Sequence, residues 1–139
     1  MIPEREEKFI RSHRVARMAT ADRAGKPHVV PICYVYEEGF LYSVIDEKPK
    51  KVAPDRLRRV SNIEGNPQVA LVIDDYYEDW SKLGFVLLQG VAEILRGGEE
   101  HRKAIALLQE KYPQYRAMAL EDKPVIKITP SRVQSWGAV

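Results

Sequence analysis

The sequence predicts an α+β fold, mainly β, in which about seven short antiparallel strands close toward a barrel with two or three helices at its periphery. Three observations lead there. Apolar, β-branched runs of strand length recur along the chain, separated by turns rich in Gly, Pro and Asp. Helical periodicity is confined to a few short stretches. No repeat, linker or low-complexity tract divides the 139 residues, which favours one domain spanning residues 1–139.

The elements follow in order. Pro3 with Glu4, Glu6 and Glu7 suits a helix start, because proline tolerates the first turn and carboxylates complement the positive end of the helix dipole. Arg14 to Thr20 reads as a strand, Ala21 to Pro27 as a hairpin turn, and His28 to Tyr36 as the returning strand. Pro31 lies within that strand. It cannot donate to a ladder, so the strand belongs on an edge or at a bulge. After the turn Glu37-Glu38-Gly39 comes a third strand, Phe40 to Asp46. Pro54 and an N-capping Asp55 open a helix through Leu57, Val60 and Ile63 to Gly65, and Asn66-Pro67 stops it. Gln68 to Asp74 is a strand, Asp75 to Lys82 a polar loop, and Gly84 to Leu95 a long strand with Gly90 as a bulge or bend. Glu99 to Tyr112 carries Ile105, Leu108 and Tyr112 on one helical face and ends at Pro113. Val125 to Thr129 and Arg132 to Trp136 read as two short strands around Pro130.

Composition excludes several classes of function. With 45% hydrophobic residues the chain is too apolar for disorder, and no apolar run approaches the roughly 18 residues of a membrane span. Its length suffices to bury roughly two thirds of the unfolded surface. The charged N-terminus lacks the apolar stretch of a secretion signal, and the single cysteine, Cys33, has no internal partner, so a reducing, cytoplasmic setting is expected. A net charge of +2, from 22 Lys+Arg against 20 Asp+Glu, argues against a dedicated nucleic-acid binder.

That small total is unevenly distributed. Between Lys48 and Arg59, the cations Lys48, Lys50, Lys51, Arg56, Arg58 and Arg59 face only Asp55, a local charge of +5. Unpaired N–H groups at a helix start and neighbouring guanidinium forks suit a phosphate. A solvated basic helix face explains the same residues; the position of the cluster, directly after the Phe40 to Asp46 strand, favours an anion site for a ligand lying along that strand. Asp74, Asp75, Glu78 and Asp79 form an acidic stretch that matches no cation-ligand loop and reads as exposed. Trp80 beside it suits a core plug, an interface anchor or a stacking surface.

The usual catalytic constellations are absent. There is no Gly-x-Ser-x-Gly elbow, dinucleotide glycine turn or P-loop, and His13, His28 and His101 show no metal-ligand spacing. His101, flanked by Glu99, Glu100, Arg102 and Lys103, reads as exposed, and Cys33 as a buried small side chain. An enzyme built from this inventory would leave the difficult chemistry to a bound cofactor.

Arg17-Met18-Ala19-Thr20, Gly25-Lys26-Pro27-His28-Val29-Val30-Pro31, Leu41-Tyr42-Ser43, and Leu57 through Asn66-Pro67-Gln68-Val69-Ala70-Leu71 occur in that order. The sequence thereby resembles, over nearly its whole length, the flavin-binding split-barrel superfamily of pyridoxamine 5′-phosphate oxidase. Lys48-Pro49-Lys50, Asp79-Trp80-Ser81 and Arg132-Val133-Gln134-Ser135-Trp136-Gly137 look most like its small subgroup of probable deazaflavin (coenzyme F420)-dependent enzymes. The resemblance implies an antiparallel six-stranded split β-barrel, a homodimer with two cofactor sites at the interface, and F420, alternatively FMN, as cofactor. It implies that His28, Val29, Val30, Pro31, Ser43 and Val44 line the ring, that Lys50, Lys51, Arg58 and Arg59 serve the phosphate, and that Trp80 and Trp136 close the site from the partner subunit. The family's Ser-Arg-Lys phosphate loop is replaced by Leu57-Arg58-Arg59, and the sequence to Val139 has no counterpart of the arginine and histidine that recognise pyridoxal phosphate in true oxidases. Vitamin B6 oxidase activity is therefore not expected.

The leading expectation is an oxidoreductase moving a hydride between such a cofactor and a small organic molecule. A binding or storage protein without turnover is the alternative, since no side chain is an obvious general acid or base. A haem-binding split barrel is the third reading, with His28 or His13 as axial candidates.

Overall fold

A computed structural model of the chain describes residues 2–46 and 57–139. Helix α1 (Glu4–Ser12) precedes β1 (Val15–Ala21), β2 (Pro27–Cys33), β3 (Val35–Glu37) and β4 (Phe40–Val44). Helix α2 (Arg58–Gly65), β5 (Gln68–Asp75), a 3-10 turn (Trp80–Lys82) and β6 (Gly84–Leu95) follow. Helix α3 (Glu99–Lys111), a second 3-10 turn (Pro113–Ala117) and β7 (Val125–Gly137) complete the described elements. No helix among them is long and apolar enough to cross a membrane.

The described strands number seven rather than six, and they form one antiparallel sheet in the order β2-β1-β5-β6-β7-β4-β3. The outermost strands, β2 and β3, are separated in the chain by Tyr34 alone. A flat sheet cannot have two edges one residue apart, so this sheet must curl until its edges meet, as in a split barrel. The corner is fixed by side chains from far along the chain. The Tyr112 hydroxyl accepts the Tyr34 N–H at 3.0 Å and lies 2.7 Å from the Arg14 carbonyl and 2.6 Å from the Tyr34 carbonyl, to which it donates. The Tyr34 hydroxyl, wholly buried, donates to the Ile10 carbonyl at 2.5 Å.

Three sequence expectations are corrected here. The single strand expected over His28 to Tyr36 is two strands, because Tyr34 turns the chain from one sheet edge to the other. The two strands expected around Pro130 are one, since Pro130 lies opposite Gly90 at a bulge between Gln89 and Gly90, where its missing N–H breaks no regular ladder. Helix α2 begins at Arg58 with Leu57 in the capping position and no side-chain cap; Asp55 lies outside the described residues. The edge position expected from Pro31 is observed, because among the described strands β2 pairs with β1 alone.

Alternation along β1, β5 and β6 sends Met18, Leu71, Ile73, Val86 and Leu88 into the main core, joined by Ile10 of α1 and Val60 and Ile63 of α2. A second core lies under α3, where Ala104, Ile105 and Leu108 pack on Tyr42, Val44, Tyr112, Tyr115 and Val125. His101 belongs to this buried face rather than to solvent, and its Nε2 meets the Lys123 carbonyl at 2.6 Å.

Candidate functional site

The chain's curl leaves a gap where β2 approaches β4. There a cavity of about 270 Å³ is lined by Val15, Pro31, Ile32, Cys33, Ser43, Val44, Asp46, Arg59 and Tyr115. Each wall has a local cause. Pro31 leaves the outer ladder positions of β2 unused. Ser43 and Val44 are set by β7, on which they pair with Ile126 and Val125. Arg59 is the second residue of α2, and its side chain is only 8% exposed, so its guanidinium is held at the cavity rather than in solvent.

Four residues expected at one site, Pro31, Ser43, Val44 and Arg59, therefore do line one cavity. The others are placed differently. Along β2 the exposure alternates, with Val29 and Pro31 open and His28 and Val30 partly buried, so these four cannot all face one ligand surface. Val29 is 63% exposed, Val30 packs on the main core, and His28 Nδ1 is buried with no hydrogen-bond partner among the described residues. Arg58 is exposed. Lys50 and Lys51 lie outside the described residues.

Neither tryptophan is among the described residues that line the cavity. Trp80 is 71% exposed, and Trp136 is 55% exposed and stacked on Phe85 at 6.0 Å. Trp136 sits eleven residues along β7 from Val125, about 36 Å of strand. Both tryptophans lie by the start of β6, where Gly84 pairs with Gly137. The acidic stretch beside them is engaged: Asp74 pairs with Arg17 at 2.7 Å, Asp75 with His13 at 2.8 Å, and Asp79 accepts from the Ser81 N–H at 3.1 Å.

Three polar residues of the cavity escaped sequence reasoning in this role. Cys33 is half-buried, and burial raises its thiol pKa above the ordinary value. Tyr115 comes from the 3-10 turn after α3, and its hydroxyl is held well above the ordinary tyrosine pKa by burial and then by its hydrogen bond to Asp46. Asp46 lies two residues beyond β4. Its polarity at the end of an apolar strand was the only local signal. Among the described residues the cavity thus combines an apolar surface of Val15, Pro31, Ile32 and Val44 with a cation, a carboxylate, two hydroxyls and a thiol.

Of the haem-ligand candidates, His13 has both ring nitrogens engaged, Nδ1 at 2.7 Å from the Phe9 carbonyl and Nε2 on Asp75, while its ring stacks on Phe9 at 4.1 Å. It is a structural residue at the foot of α1.

Comparison with known proteins gives concordant results. The curated 5a,11a-dehydrotetracycline/5a,11a-dehydrooxytetracycline reductase from Streptomyces rimosus is 27% identical over 136 residues, covering 96% of this chain and 82% of that protein. HutZ, the haem storage protein from Vibrio cholerae, superposes with a TM-score of 0.73 at 20% identity, over 99% of this chain and 95% of its own. A FAD-binding protein from Mesorhizobium loti superposes with a TM-score of 0.69 at 24% identity, over 93% of this chain and 89% of its own. The two structures establish likeness of fold. The family model described as pyridoxamine 5′-phosphate oxidase matches residues 2–137, so the chain belongs to that family of split barrels.

Proposed function

We propose that the protein is an oxidoreductase that holds a flavin-type cofactor, F420 or FMN, in the cavity between β2 and β4. The observation that carries this reading is the convergence of an unpaired strand edge at Pro31, the β4 residues Ser43 and Val44, and the buried Arg59 on one cavity. An apolar slot with few polar groups suits a planar ring, and a guanidinium at a helix start suits a phosphate. Arg58, Lys50 and Lys51 would add positive charge at that end. The bound ring would supply the hydride carrier; the chain's own residues bind, orient and shield it. The reductase relative and the FAD-binding neighbour support a redox role.

A homodimer belongs to the same proposal. The cavity of about 270 Å³ falls short of the roughly 300–1,000 Å³ of ligand sites, so a second copy would complete its walls. Exposed Trp80 and Trp136, distant along the chain from their own cavity, are suited to cover that of a partner. A cytoplasmic setting is part of the reading, since both cofactors are carriers of intracellular metabolism.

Haem binding is the second reading, favoured by HutZ and by His28 Nδ1, which has no partner among the described residues. Titrating the protein with FMN, F420 and haem separates the readings, because ring fluorescence and haem absorbance are distinct. Saturable quenching with FMN or F420, weakened when Arg58 and Lys50 are replaced by alanine, is expected. A response to haem alone would overturn the redox proposal. A monomeric mass by light scattering at micromolar concentration would remove the shared site.

A further inference from the structure

We propose that Asp46, positioned by Tyr115, is the recognition residue for the N–H-bearing edge of the planar heterocycle that occupies the cavity. The inference rests on the flavin-type reading and deepens it.

Asp46 and Tyr115 both line the cavity, and Cys33 lines it beside them. Tyr115 is only 6% exposed, its ring packs on Tyr112 at 5.5 Å, and its carbonyl accepts from Gln109 Nε2 at 3.2 Å. Its position is therefore fixed by α3. The hydroxyl has one proton. It remains protonated throughout the physiological range, and the Asp46 carboxylate is the strongest acceptor beside it on the cavity wall. A carboxylate offers about four acceptor sites, and a single phenol proton satisfies one of them. The remaining acceptor capacity of Asp46 faces a cavity whose other charged group among the described residues, Arg59, only donates.

Such a wall selects its ligand. A carboxylate repels a phosphate, so Asp46 marks the part of the cavity where the phosphate does not lie. It accepts strongly from an N–H, and Ser43 can donate to a neighbouring carbonyl, while Arg59 serves the phosphate end. An imide-like edge, one N–H flanked by two carbonyls, matches that pattern. Flavins and deazaflavins carry this edge on their pyrimidine ring at N3. Porphyrins present carboxylates at their periphery, which Asp46 would oppose.

The test changes the ligand before the protein. FMN and 5-deaza-FMN are each compared with their N3-methyl analogues by ring fluorescence, using the full chain. Wild type should bind the unmethylated rings roughly ten- to a hundredfold more tightly, the range for a hydrogen bond to a charged group. Asp46→Ala should abolish the preference, Asp46→Asn should retain a reduced part through its carbonyl, and Tyr115→Phe should reduce it with Asp46 still present. Equal affinity for methylated and unmethylated rings, or full discrimination in Asp46→Ala, overturns the inference while leaving flavin binding intact. Failure of all four rings to bind wild type overturns the flavin reading itself and the inference with it.

Discussion

Replacing Tyr112 by phenylalanine removes one oxygen atom from the corner that joins the two sheet edges. The Tyr34 N–H then loses its acceptor at 3.0 Å, and the Arg14 and Tyr34 carbonyls lose the donor shared between them. Tyr34 is fully buried, so water does not replace the missing oxygen. An orphaned buried N–H costs about 1–3 kcal/mol, and the lost donor about 1 kcal/mol more, giving about 3 kcal/mol in total. For 139 residues the unfolding entropy near 60 °C is about 0.3 kcal/mol/K, so Tm should fall by about 10 °C. The assay is calorimetric or circular-dichroism melting at matched protein concentration, because dimerisation would make Tm concentration-dependent. The exposed Tyr77→Phe serves as control and should melt within about 1 °C of wild type. A Tyr112→Phe protein melting within about 2 °C of wild type would refute the claim that this hydroxyl holds the barrel corner.

Gly90→Ala should cost about 3 kcal/mol or more in urea unfolding, because the added Cβ would stand 2.2 Å from the backbone oxygen of Thr129, where no flexible side chain can yield. Gly97→Ala, with nothing within 4 Å, should be close to neutral. The Lys111 ammonium is lowered to about 8 by burial and the nearby Arg14, from an ordinary 10.5. Its unfolded form therefore binds more protons between those values, and melting temperature should rise from pH 8 to about 9.5 and stay flat below 8 on account of this group. Lys111→Met should remove that rise, and an unchanged slope would show that another group is responsible. Cys33, the sole cysteine, should react with a disulfide reagent at pH 8 more slowly than an exposed thiol, since burial raises its pKa. Saturating FMN or F420 should slow it further; unchanged labelling in a complex shown to form would move the ligand out of the cavity.

Much of the fold was legible locally. Gly84 to Leu95 read correctly as one strand with its irregularity at Gly90, and Pro31 correctly demanded an edge. What failed was decided by distant partners. Nothing in Ile32-Cys33-Tyr34-Val35-Tyr36 announces a corner, because the apolar run continues through it; the break is made by a hydroxyl 78 residues away. Pro130 looked like a strand end, whereas it stands next to the extra residue, Ser131, where β7 shifts register against Gln89 and Gly90 of β6. His101 was hidden by charged neighbours, although the spacing His101, Ala104, Ile105, Leu108 traces a buried helix face. At the cavity, Pro31, Ser43, Val44 and Arg59 carried motif or charge signals, whereas Asp46 and Tyr115 meet only through the packing of α3 and its following turn.

The place of β7 in the sheet has a consequence for how the molecule is made. It is the last of the described strands in chain order, yet it lies between β6 and β4. Without it the β3–β4 hairpin has no neighbour to join, and the sheet built from β2, β1, β5 and β6 ends at an open β6. The early part of the chain can therefore form two separate pieces but cannot connect them. Closure is a late, long-range event, the kind of step that loop-closure entropy makes slow. The cavity, whose β4 wall is set by pairing with the beginning of β7, comes into being only in that final step.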